Sequence, residues 1–186
     1  MATLKRAIEI ARQAHAGQVD KAGEDYIEHP LRIMWKAKTE DEQIIGVLHD
    51  VVEDSDWTFE MLEEEGFSSE VIEALRCMTK LSDDEDYDHF IDRVLTNTLA
   101  MRVKLLDLED NMDLTRLSEC TEDDIRRNQK YQLAYDRIKA NKLIHFLSFS
   151  VSVMSIPIDN NSIPANLAKL SSIAISYSRI DLFIAE

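Results

Sequence analysis

Apolar residues return at helical spacing along most of the first 140 positions of this chain. Leu4, Ala7, Ile8, Ala11 and Ala14 share one face, with Lys5, Arg6, Glu9 and Arg12 turned outward, which predicts an amphipathic helix over 4–16. Gly17 stops it and Gly23 permits a turn, so 17–28 reads as an ordered loop. Pro30 suits the first position of a second helix, continued by Leu31, Ile33, Met34 and Ala37, and should hold His29 in extended geometry at its entrance. Thr39 or Asp41 can cap a third helix, along which Ile44, Ile45, Val47, Leu48, Val51 and Val52 recur, with Gly46 the one weak position. Thr58 offers the next cap, without a capping-box glutamate, and two short helices follow around Gly66. Periodicity resumes from Phe90 to about Leu117. A last helix, 121–140, starts at Thr121 with Glu122, Asp123 and Asp124 in its first turn, where they suit the macrodipole. The pattern is that of an all-α chain.

Beyond Asn141 the text changes. Residues 141–186 carry six charged groups that sum to zero, so the formal charge of −15 belongs to the first 140 residues. We divide the chain into a domain over 1–140 and an extension over 141–186 without clear period, which fits an appended segment, an interface segment or a shifted reading frame. With 186 residues and 45% hydrophobic content, one domain with a sizeable core is the expected scale. The acidic balance argues against nucleic acid as partner, since a basic stripe is missing. It also requires local cations wherever a polyanion is to bind. No apolar run reaches the roughly 18 residues of a membrane span, and the first residues lead into a helix rather than an apolar leader. Cys77 and Cys120 show no disulfide or zinc spacing, so a reducing cytoplasm is expected.

Four glycines, Gly17, Gly23, Gly46 and Gly66, cannot build a P-loop or a dinucleotide fingerprint, and no serine sits in a nucleophile elbow. Kinase, synthetase and serine-hydrolase chemistry are thereby set aside. What remains is His49-Asp50. Adjacent side chains on a helix diverge by about 100°, so the two can share a buried spot only if something joins their tips. A divalent cation can do that. Glu53 lies four residues after His49, one turn along, and with Asp54 could handle a water there. Asp107 interrupts an aliphatic run and would be costly to bury unless paired or metal-bound. Asn111 follows it by one turn on the same face, and Lys104 precedes it by three residues. His15 reads as a partner to backbone or to the residues around a ligand. The acidic run 83–88 lacks the glycine and glutamate of a calcium loop and reads as surface, with His89 exposed.

These stretches, in order, resemble the HD-domain metal phosphohydrolases, in particular the alarmone hydrolase branch of RelA/SpoT-type domains. The resemblance is carried by Ala14-His15-Ala16-Gly17-Gln18, Asp20-Lys21-Ala22-Gly23, Tyr26-Ile27-Glu28-His29-Pro30-Leu31-Arg32-Ile33, His49-Asp50-Val51-Val52-Glu53-Asp54 and Val103-Lys104-Leu105-Leu106-Asp107 with Asn111, over roughly residues 4–140. It implies an HD-domain helical bundle and one divalent ion on His29, His49, Asp50 and Asp107, with Mn²⁺ favoured over Fe²⁺ or Zn²⁺. It further implies water activation by Glu53 and Asp54, and a nucleotide substrate, guanosine tetraphosphate, met by Lys21, Lys104 and Asn111 and cleaved at its 3′-linked phosphate. A phosphatase for another nucleotide or dinucleotide, and a nucleotide-binding regulator without turnover, are the alternatives. The chain departs from the branch at Leu108-Glu109-Asp110-Asn111-Met112-Asp113, which is acidic where those relatives are basic or neutral; this predicts a weaker hold on a polyanion.

Overall fold

Thr3, Thr39, Thr58, Ser68 and Asn97 each present a side-chain oxygen to a backbone N–H three residues on, so five of the helices start where the sequence offers a cap. In the computed structural model, which describes residues 2–153 except Asp83 and Ser118, and side chains as far as Lys142, the helices run in sequence. They are α1 (Leu4–Ala14), α2 (Glu28–Lys36), α3 (Glu40–Leu48), α4 (Val51–Asp54), α5 (Phe59–Glu64), α6 (Ser69–Met78), α7 (Tyr87–Leu95), α8 (Thr98–Asn111) and α9 (Glu122–Val153), with a 3-10 turn at Leu114–Arg116. The described residues hold no strand; Val19 and Asp25 make a single antiparallel bridge inside the loop between α1 and α2.

Helix α3 is the hub. Ile44, Ile45, Gly46, Val47 and Leu48 are all buried, so it presents apolar surface in nearly every direction and packs against α1, α2, α6 and α8. Ile10, Ile33, Met34, Leu75, Phe90, Met101 and Leu108 are buried in the same core. Truncating one such side chain, Ile45→Ala for example, costs about 2–5 kcal/mol through lost burial and the cavity left behind. Gly46 sets the approach of α2: a Cβ there would stand 3.0 Å from Ile33 Cγ2 and 3.3 Å from the Met34 nitrogen.

Several boundaries differ from those the pattern predicts, among them the stretch from Phe90 to Leu117, which breaks at Asn97, the cap of α8, and leaves the α-helix after Asn111. Helix α2 begins at Glu28, so His29 and Pro30 lie within its first turn rather than His29 standing extended before it. A proline there removes only an N–H that would lack an intrahelical partner anyway, and Leu31 N–H reaches the Ile27 carbonyl across it. The apolar run through Val51 is broken at His49-Asp50, which separates α3 from α4. Helix α9 passes residue 140 and continues to Val153, because nothing at Asn141 stops it. Residues 1–145 form one compact unit; most of the extension 141–186 lies outside the described residues.

Candidate functional site

The break between α3 and α4 makes the site. His49 ends α3 in helical geometry and Asp50 sits at φ −100°, ψ −5°, so the pair turns off the helix and the 100° divergence is relieved. His49 is 2% exposed. Its Nδ1 is 2.9 Å from the Gly46 carbonyl, which can only accept, so Nδ1 carries the proton and Nε2 keeps a lone pair. That Nε2 is buried without a hydrogen-bond partner, yet stands 3.0 Å from Asp50 Oδ2 and 3.6 Å from Asp107 Oδ1. His29, brought in by α2, repeats the arrangement. Its Nδ1 meets Asp110 Oδ2 at 2.8 Å, and its Nε2 lies 3.2 Å from Asp107 Oδ1 and 3.9 Å from Asp50 Oδ2.

Two imidazole lone pairs thus face two carboxylates at short range, which is stable only with positive charge among them. Protons can supply it. Burial alone would push both histidines down, but Asp50 and Asp107 outweigh it at His49 and hold that ring well above the ordinary histidine value, and Asp107 and Asp110 do the same, less strongly, at His29. Burial would raise both aspartates, but His49, with Lys104 at Asp107, holds them below the usual carboxylate range. A divalent ion can supply the charge equally well. Donor atoms of His29, His49 and Asp50 all lie within 4.8 Å of one another, and Asp107 adds a second carboxylate within reach of both rings. Two nitrogens and two oxygens, buried and pre-aimed, fit a metal.

The surrounding groups fix these four. Tyr26 donates its hydroxyl to Asp50 Oδ2 at 2.6 Å; burial, then the neighbouring Asp50 charge, pushes the phenol pKa up. Lys104 donates to Asp107 Oδ2 at 2.6 Å and lies 4.9 Å over the Phe90 ring. Asn111 donates to Asp107 Oδ1 at 2.6 Å. Lys104 and Asn111, expected from sequence to meet substrate, are therefore both tied to Asp107, though Asn111 also lines the adjacent pocket.

That pocket has a volume of about 240 Å³ and opens beside His29 and Tyr26, with Lys21, Asn111, Arg116 and Arg127 along it. Lys21 pairs with Asp124 at 3.1 Å and stays largely exposed, while Arg116 pairs with Asp20 at 3.0 Å. Neither arginine stood out in the sequence, where both sit in ordinary polar text. With Lys21 they give the pocket wall three cationic groups, each paired with an aspartate, Arg127 with Asp124 at 3.3 Å. The acidic stretch 108–113 adds Asp113 to the wall of the same pocket. Asp110 is buried behind His29, and Glu109 accepts from the Tyr135 hydroxyl at 2.8 Å.

Glu53 and Asp54 stand on α4, exposed rather than set in apolar surroundings. Both Glu53 oxygens are engaged by Lys80, one with its Nζ at 3.1 Å and the other with its backbone N–H at 3.1 Å. Asp54 has its carbonyl held by Gln18 Nε2 at 2.9 Å, and Gln18 in turn meets His15 Nδ1 at 2.8 Å. His15 is thus a buried partner one step removed from the site. Although the residue as a whole is exposed, partial desolvation of its carboxyl and then the charges of Asp50 and Glu53 hold Asp54 above its ordinary value.

No family model matches the chain. It is 34% identical over 118 residues to a guanosine-3′,5′-bis(diphosphate) 3′-pyrophosphohydrolase of Aquifex aeolicus, a match covering 59% of this chain and 17% of that protein. With the enzyme of the same name from Haemophilus influenzae it shares 33% over 128 residues, 63% of this chain and 19% of the relative. The bifunctional (p)ppGpp synthase/hydrolase SpoT of Escherichia coli is 30% identical over 123 residues, 59% and 17% of the two chains. The chain therefore spans under a fifth of the length of these curated relatives. Its fold matches that of a metazoan ortholog of SpoT described as hydrolysing ppGpp, with a TM-score of 0.62, 24% identity, and coverage of 76% of this chain and 85% of the other. The chain is thus similar over part of their length to RelA/SpoT-type hydrolases, and its all-α bundle matches the fold of the SpoT ortholog.

Proposed function

We propose that this relative of the RelA/SpoT-type hydrolases is a metal-dependent phosphohydrolase whose substrate is guanosine tetraphosphate, cleaved to release pyrophosphate from the 3′ position. One observation carries the reading: two imidazole Nε2 atoms and the Asp50 and Asp107 carboxylates meet beside a pocket edged by Lys21, Arg116 and Arg127. His29, His49, Asp50 and Asp107 would hold one ion, and a mixed nitrogen and oxygen set suits Mn²⁺, with Fe²⁺ or Zn²⁺ accepted, better than Mg²⁺. When bound, such an ion lowers the pKa of water and polarises a phosphoryl oxygen. The rest falls to the chain. Glu53 and Asp54 orient the attacking water, and Asp54 takes its proton. The water oxygen bonds to the phosphorus attached at the 3′ position, the bond from that phosphorus to the ribose oxygen breaks with its electron pair going to the oxygen, and that oxygen takes a proton from solvent, while Asp54 returns the proton it took to bulk water. Lys21 and Asn111 steady the departing phosphates. Tyr26 keeps Asp50 turned toward the histidines. Free Cys77 and Cys120 fit a cytoplasmic setting.

Purified protein incubated with guanosine tetraphosphate and Mn²⁺ is expected to release pyrophosphate, and EDTA is expected to stop it. Turnover of simple nucleotides without the tetraphosphate would move the assignment to a phosphatase of another nucleotide. Tight nucleotide binding with no turnover under any divalent ion would make the chain a regulator.

A further inference from the structure

We infer that Asp110 is a positioning residue that clamps His29 with its Nε2 toward the metal-binding cluster, an inference that rests on the metal reading above. Asp110 follows Asp107 by three residues on α8, so both carboxylates point toward α2. Helix α2 answers with a polar stripe, His29, Arg32 and Lys36, at spacings of three and four. The Asp110 side chain is 4% exposed and its lone pairs are all spoken for. Oδ2 accepts from His29 Nδ1 at 2.8 Å and Arg32 Nη2 at 2.8 Å; Oδ1 accepts from Arg32 Nε at 3.0 Å and Lys36 Nζ at 3.3 Å. An ionised carboxylate offers about four such sites, so the group cannot swing away from the imidazole without breaking the Arg32 fork.

The clamp reaches the pocket as well. Arg116, on its wall, donates to the Asp110 carbonyl at 3.3 Å and stands 3.7 Å from Oδ2. One acidic residue therefore fixes both the orientation of a metal ligand and the root of a cation that faces substrate. A histidine ligand whose second nitrogen is held by a carboxylate is oriented and made a better donor, and losing such a partner lowers metal affinity by about 10- to 100-fold.

Asp110→Asn keeps the volume and one accepting oxygen but loses the charge that holds Arg32. The folded variant, checked by circular dichroism, is expected to bind Mn²⁺ and Zn²⁺ about 10- to 100-fold more weakly by calorimetry. The proton on His29 Nδ1, read by nitrogen-15 NMR, is expected to be protected from exchange in the wild type and to exchange freely in the variant. A folded variant with wild-type metal affinity and an unchanged His29 signal overturns the clamp. The NMR readout needs no ion. A wild-type chain that binds no metal sinks the proposed function while its protected Nδ1 proton still supports the clamp; a wild-type chain that binds metal but shows no such proton overturns the clamp alone. Should Asp110→Asn fail to fold, Arg32→Lys, which keeps the charge and breaks the fork, is measured instead: weaker metal binding supports the clamp, and undiminished binding overturns it.

Discussion

Glu53→Gln separates catalysis from scaffolding at α4. The substitution keeps the side-chain length and an oxygen for the Lys80 N–H, and gives up the charge facing Lys80 Nζ. The Glu53 and Lys80 side chains are 32% and 40% exposed, and pairs so open to solvent contribute about 0–1 kcal/mol. For a chain of this size that is a fall of no more than about 2–4 °C in Tm. Losing a group that positions and deprotonates water is a far larger matter, about 10²- to 10⁴-fold in turnover, or about 3–5 kcal/mol of barrier at 1.36 kcal/mol per decade. The two roles therefore predict outcomes that do not overlap. Pyrophosphate release would be followed at saturating Mn²⁺, with metal content and melting temperature measured on the same preparation. Slow turnover with metal content and Tm nearly unchanged is expected. A variant that melts early yet turns over normally per folded molecule would show that Lys80 holds Glu53 for structure alone, and would refute the water-handling role.

Asp107→Ala removes the partner of Lys104, whose side chain is only 13% exposed, and should destabilise the chain by about 3–5 kcal/mol in urea unfolding, as stranded buried charges do. Saturating Zn²⁺ or Mn²⁺ at about 100 times Kd should raise unfolding stability by about 2.7 kcal/mol, and EDTA should reverse the gain. The metal-free chain should be most stable between about pH 4 and 6.5. His29 and His49 are raised on folding, so their contribution is complete below the unfolded histidine value and fades as pH climbs through the folded ones; Asp50 and Asp107 are lowered, so theirs is complete above the unfolded aspartate value and fades on acidification. Melting curves across pH, with EDTA present, check the sign; a metal-free chain whose stability instead rises from pH 6.5 to 9 would contradict it. Gly46→Ala should cost about 1–3 kcal/mol by overpacking α2 against α3.

Much of the site was legible because its chemistry is locally conspicuous. A histidine beside an aspartate in apolar text, and an aspartate amid Val103, Leu105, Leu106 and Leu108, each demand a partner, and the structure brings all four side chains together. The helix break at His49-Asp50 was not legible, since Val51 and Val52 prolong the apolar rhythm across it. Asp110 was hidden for a different reason. Set between Glu109 and Asn111 and followed by Asp113, it reads as one acid among several, and only the stripe of His29, Arg32 and Lys36 on another helix, some 78 residues away from it at Arg32, gives it a task. The Glu53–Lys80 contact spans 27 residues and has no periodic signature at all. Local propensity writes caps and faces into a sequence; pairings across the bundle depend on which faces meet.

The absent side chain at Gly46 has an effect well beyond packing. Its carbonyl takes the His49 ring, and its bare Cα lets α2, the carrier of His29, rest almost against the α3 backbone. The gap between the two imidazoles is therefore gauged by the spacing of two main chains, a stiff quantity, rather than by rotamers that could adapt to whatever ion arrives. A spacer the size of one methyl group at residue 46 would widen the jaws from behind, without touching a single donor atom.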